Sequence, residues 1–124
     1  MNLGSSIGSS IDLAVLKPYF AAKIDGKNIL LLMRGKRLEV AWAEVEEKLV
    51  QGGEMLQLFE KNYEMSTNCE ELVETFRDTN CYEFLSQSLN DHKKSGRLFP
   101  IEKSLKEYVL QVGRDTSRLH PYGV

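Results

Sequence analysis

The reactive side chains of this 124-residue chain fall into separate sets, and in each the spacing withholds the chemistry that the atoms would allow. Gly35-Lys36-Arg37 looks like the end of a phosphate-binding loop, in which a lysine reaches the terminal phosphates and the next hydroxyl holds magnesium. The glycine needed five residues before Gly35 is Leu30, and Arg37 stands where the hydroxyl belongs, which excludes a Walker loop. Cys69, Cys81, His92 and His120 have the atoms of a zinc site without compact ligand spacing, so buried thiols and surface histidines are expected instead. A Cys–His nucleophile pair fails on the same ground. Asp91-His92 sits at an expected helix end, where a charge–dipole role accounts for it. Glu44, Glu46, Glu47, Glu54, Glu60 and Glu64 have the groups for paired carboxylates or for imitating a nucleic-acid backbone, but they read as the solvated face of a helix. Trp42, the only tryptophan, is expected in a core rather than as a ligand platform. No catalytic constellation results; the expectation is a non-enzymatic protein with neither metal nor cofactor.

A basic group, Lys23, Lys27, Arg34, Lys36 and Arg37, lies close to Tyr19 and Phe20, and this aromatic interleaving supports an anion or nucleic-acid site as the alternative reading. It belongs to an uneven charge layout. Residues 1–37 carry six basic against two acidic groups, residues 38–78 three against eleven, and residues 79–124 seven against five. The expected outcome is an acidic helix folded against basic segments with part of the charge cancelled internally.

The elements that would position these residues are read from periodicity. An apolar fraction of 42% with 27% charged residues suits one globular domain. Residues 1–10, rich in Gly and Ser, read as a flexible leader before a single domain at 11–124. Tyr19 to Arg34, with Asp25-Gly26 at its centre, reads as a β-hairpin, because Asp-Gly accepts the positive φ of a type I′ turn. Short helices broken at Pro18 are the alternative. Leu38, Trp42, Val45, Leu49, Leu56, Phe59 and Tyr63 alternate four and three apart, which predicts one long helix over 36–64 with a seam for other helices, weakened at Gly52-Gly53. Thr67 and Glu70 form a capping box that opens a second helix over 67–94, stopped by His92, Lys93, Lys94 and Gly96. Pro100 suits the first turn of a third helix over 100–119, with Ile101, Leu105, Tyr108 and Val112 on one face. The tail from His120 reads as loosely held. The expected fold is mostly α: a three-helix antiparallel bundle preceded by a short β-hairpin.

The run from Val40 through Trp42 and Leu49 to Phe59, continuing to Phe76, resembles the spectrin-repeat superfamily over about half the chain. The resemblance implies a three-helix scaffold of cytoskeletal or adaptor type that acts through surfaces, so no site residues carry over. The expected function is a protein–protein interaction or scaffold module that uses the seam for another protein or for self-association. Two cysteines, about 18 Å apart along one expected helix, make no disulfide framework. No apolar run approaches the roughly 20 residues of a membrane span, and residues 1–10 lack the pattern of a signal peptide. A cytoplasmic location is expected.

Overall fold

Where the hairpin was expected, the chain forms the middle of a single 35-residue helix, α1 (Leu3–Arg37). The computed structural model describes the backbone of residues 3–119 and the side chains of residues 16–116. Met1 and Asn2 of the expected leader and the tail from His120 lie outside the described residues, while residues 3–10 are the first turns of α1. The correction has a clear physical source. Among the described residues of α1 the buried positions are Ala21, Ala22, Asp25, Gly26, Asn28, Ile29, Leu32, Met33 and Gly35, a three-and-four spacing that is helical. Two of them are polar, so the apolar period is interrupted where Asp25-Gly26 also imitates a turn. Pro18 sits inside the same helix without ending it.

The long helix over 36–64 is also absent. Helix α1 stops at Arg37 in a Schellman arrangement: Glu39 N–H donates to Lys36 C=O at 3.2 Å and Val40 N–H donates to Gly35 C=O at 2.9 Å. The left-handed residue that this requires is Glu39, at φ 57°, a place normally held by glycine. Residues 38–55 then cross the molecule mostly as irregular chain, interrupted by the five-residue α2 (Trp42–Glu46). Gly52, at φ 115°, belongs to this crossing and is not a weak point of a helix.

Four further helices follow: α3 (Leu56–Met65), α4 (Cys69–Thr75), α5 (Tyr82–Ser95) and α6 (Phe99–Leu119). The described residues thus hold six helices and no strand, in place of a hairpin and three-helix bundle. The cap of α4 is one residue later than Thr67: Asn68 Oδ1 accepts from Glu71 N–H at 2.8 Å, and Glu71 Oε1 accepts from Thr67 N–H and Oγ1–H, each at 2.9 Å. Gly96 ends α5 at φ 68°, donating its N–H to His92 C=O.

Helices α1 and α6 form the principal pair, antiparallel: Gly113 lies against Tyr19, and Gly26 against Val109. Helix α5 packs on α6, α4 on both α5 and α1, and α2 and α3 on α1, whose Asp25 and Asn28 meet the segment before α3. The core they share is large and apolar, with Ile29, Leu32, Phe59, Leu72, Phe76, Leu85 and Ile101 fully buried. Phe59 and Phe76 meet edge to face at 6.1 Å, a contact worth about 1 kcal/mol beyond their burial. Ser88 and Ser104 face each other between α5 and α6 with their hydroxyls 3.3 Å apart, small side chains that let the two backbones approach.

Candidate functional site

The polar residues inside α1 act on the crossing segment. Asp25 Oδ2 accepts from Glu54 N–H at 2.9 Å and Oδ1 from Met55 N–H at 3.2 Å, so one carboxylate satisfies backbone donors at the entry to α3. One turn further on, Asn28 pairs with the backbone of Val50 through both ends of its amide: Nδ2 donates to Val50 C=O at 2.8 Å, and Oδ1 accepts from Val50 N–H at 2.9 Å. Gly53 is required between them, because a Cβ there would lie far inside van der Waals contact with the Asp25 carboxylate. Burial raises the Asp25 carboxyl above its ordinary value, and the two backbone donors pull against that rise. These groups are consumed in holding the segment and leave no free pair for acid–base chemistry.

On the other side of α1, the cleft with α6 stays open. An apolar hollow of about 430 Å³ lies between the two helices, floored by Tyr19, Leu30, Leu105, Val109 and Leu110 and edged by Lys23, Lys27 and Lys106. A second hollow follows toward the end of α1, where Leu38, Leu98 and Phe99 are flanked by Arg34, Arg37 and Arg97. Glu102 lines both, so the hollows run on from each other as one trough. Phe99 is 66% exposed and Leu110 55%, large apolar surfaces on a face that nothing within the described residues covers. Gly26 makes the floor narrow, since it brings α1 close to Val109.

The seam residues are distributed differently. Leu38 is 73% exposed, at the stop of α1. Val45, Phe59 and Tyr63 are buried in the chain's own core, and Trp42, Leu49 and Leu56 pack partly buried against it. Trp42 and Tyr63 stack tilted at 5.6 Å, and Tyr63 donates its hydroxyl hydrogen to Val40 C=O, so the aromatic pair anchors α2 and α3 beside the end of α1. Gly35 makes room for this: a Cβ there would meet Tyr63 Oη at 2.7 Å and Val45 Cγ2 at 2.8 Å. Lys36 lies over the Tyr63 ring at 4.0 Å from its centroid. Of the basic group, Lys23 and Lys27 edge the first hollow, Arg34 and Arg37 the second, and Lys36 turns toward α3.

The thiols are separated within the core. Cys69 donates to Met33 C=O at 3.4 Å, and burial pushes its thiol up. Cys81 lies 3.1 Å from Thr79 Oγ1, and burial pushes its thiol up to about 11. His92 is buried with Nδ1 on Arg97 C=O at 2.7 Å, and His120 lies outside the described residues. Sequence reasoning passed over Asp25 and Asn28 as site residues, and it missed the α6 wall of the trough. The available signal for the first was a pair of polar residues three apart on an otherwise apolar helical stripe.

The geometry defines a helical protein whose open feature is an interhelical trough and whose interior is structural. The ATP synthase (C/AC39) subunit family matches residues 14–118, and the chain belongs to that family. It is 22% identical over 111 residues to the C subunit of the A-type ATP synthase of Methanocaldococcus jannaschii, a match that takes in 89% of this chain and 28% of the archaeal protein. The chain thus spans just over a quarter of that relative's length. No solved structure matches it significantly. The family membership replaces the spectrin-repeat resemblance, and with it the reading as a generic scaffold module or a small anion- or nucleic-acid-binding regulator. The seam behind that resemblance arose from apolar residues that serve four separate pieces of structure. Among the described residues, no helix is long and apolar enough to cross a membrane.

Proposed function

We propose that this chain works as a non-catalytic helical component of an ATP synthase assembly, held to other subunits through its helix surfaces. The observation that carries the reading is the family match across residues 14–118, which reaches into all six helices. The non-catalytic part is supported by the fate of the reactive groups: Asp25 and Asn28 bind backbone, His92 binds Arg97 C=O, and both thiols are buried. A cytoplasmic position fits two cysteines that remain free. The relative's name supplies the assembly, and the trough supplies a surface on which an assembly contact can form.

The test is affinity purification of the tagged chain from its native cells under non-denaturing conditions, with mass spectrometry of what accompanies it and fractionation of the cells alongside. Recovery of ATP synthase subunits in stoichiometric amounts supports the reading. A chain that purifies without them, or that hydrolyses ATP alone, overturns it.

A further inference from the structure

The unspent surface of this protein is the trough between α1 and α6, and its chemistry is one-sided. Lys23, Lys27, Arg34, Arg37, Arg97 and Lys106 edge it, while Glu102 is its one carboxylate among the described residues. Glu102 is 3.8 Å from Lys106, a loose and partly exposed pair, and the other five cations have no ion pair among the described residues. Of the acidic stretch, Glu39 and Glu70 share a third hollow with Lys36 and Arg37, and none of its carboxylates lines the trough. The partial cancellation of charge expected from the sequence is thus confined to the Lys36 and Arg37 end, and the rest of the trough stays basic. Between the cations the floor is apolar, and Leu110, Phe99 and Leu38 stand more than half exposed.

We propose that this trough receives an amphipathic helix with acidic flanks, contributed by a neighbouring subunit. The proposal rests on the reading of the chain as part of a multi-subunit assembly. Two helices form the walls and their backbone groups are already bonded, so an extended peptide would find no edge to pair with and would leave its own backbone unsatisfied. A helix satisfies its backbone internally and needs only to bury one apolar stripe. From Tyr19 to Arg37 the wall of α1 runs roughly 27 Å, which accommodates about five turns. An apolar stripe fits the floor, and carboxylates on both flanks meet the cations on both rims. A nucleic-acid backbone or an anionic lipid surface would satisfy the rims and waste the floor.

The probe is a fluorescein-labelled 18-residue synthetic peptide, with Leu and Phe along one helical face and Glu on both flanks, titrated by anisotropy with the intact chain. Its partner is the isomer carrying Lys in place of Glu. The expected result is binding of the Glu peptide, at least about tenfold weaker binding of the Lys isomer, and loss of affinity as salt rises. The double variant Lys27→Glu, Lys106→Glu weakens the Glu peptide about tenfold or more, and the exposed Leu110→Asp weakens it independently, each with an unchanged far-UV spectrum and Tm. No binding, equal binding of the two isomers, or binding indifferent to both variants overturns the proposal. So does tighter retention of the chain on duplex DNA or on phosphatidylglycerol vesicles than on the peptide. Concentration-dependent dimerisation abolished by Leu110→Asp would assign the trough to a second copy and overturn it as well. Because the assay contains no ATP synthase subunit, its failure leaves the co-purification result standing, and a failed co-purification leaves peptide binding intact.

Discussion

Replacing Asp25 by alanine removes the acceptor of two backbone donors, Glu54 N–H at 2.9 Å and Met55 N–H at 3.2 Å. A buried donor left without a partner costs about 1–3 kcal/mol. Met55 is buried and bears that cost in full, whereas Glu54 is exposed and recovers part of its bond from water. The expected loss for Asp25→Ala is about 3 kcal/mol, a large share of the roughly 5–15 kcal/mol that holds a domain of this kind together. Asp25→Asn keeps one acceptor oxygen and should lose about half as much. Urea unfolding followed by circular dichroism measures both. Asn28→Ala acts on the same segment through Val50, so the double variant should depart from additivity by about 0.5 kcal/mol or more. The pH dependence has a definite sign. Burial raises the carboxyl above 3.8, so the folded chain holds that proton more tightly than the unfolded chain does. The associated stability is whole below pH 3.8 and is lost as pH rises through the folded value, so the advantage of wild type over Asp25→Asn should shrink across that window. A loss under about 1 kcal/mol for Asp25→Ala would show that water replaces the carboxylate. That result, or strict additivity with Asn28→Ala, would refute the idea that these two residues hold the crossing segment as a unit.

Other substitutions test the rest of the frame. Gly53→Ala forces a methyl group into the Asp25 carboxylate and should cost more than 2 kcal/mol or so, whereas Gly96→Ala, with open space around it and only a left-handed φ to strain, should cost about 1 kcal/mol by urea unfolding. Glu39→Gly relieves the same strain at the stop of α1 and should stabilise by roughly 0.5–1 kcal/mol in the same assay. Phe59→Ala, which empties a fully buried site against Phe76, should cost about 3–5 kcal/mol. Cys81, buried with its thiol pushed up to about 11, should resist alkylation at neutral pH in the folded chain and react once urea unfolds it, as a mass-labelling time course would show.

The helical class was legible in the sequence because most of the apolar residues that end up buried recur at three and four. The run Ile101, Leu105, Tyr108 carries α6 in this way, with Ile101 fully buried. What was not legible traces to particular residues. Asp25 and Asn28 occupy core positions of α1 for a purpose found some 25 residues away along the chain, at Val50 to Met55, and a local reading sees only a broken stripe followed by Asp-Gly. Glu39 takes a glycine's place at the end of α1, so the stop carries no composition signal, and the apolar spacing continues through it in phase by accident. Residues 76–81, which separate α4 from α5, contain no proline or glycine, so Asp78 to Asn80 signalled an irregularity within one helix and not the full break that occurs. Of the trough, the cations on α1 were visible as a group. Their meaning was not, because Arg97, Phe99, Lys106 and Leu110 come from far along the chain and join them only through the pairing of α6 with α1.

That pairing bears on how the protein comes to be folded. Helical proteins owe their speed to contacts between residues near in sequence, but here the principal contact joins Tyr19 to Gly113 and Gly26 to Val109, across most of the chain. Helix α1 leaves the ribosome well before α6, so the face of α1 that carries Tyr19, Gly26 and Leu30 must wait uncovered until α6 has been made. Folding should be correspondingly slow for an all-helical chain, with the crossing segment from Val50 to Met55 able to fasten onto Asp25 and Asn28 well before α6 closes the other side.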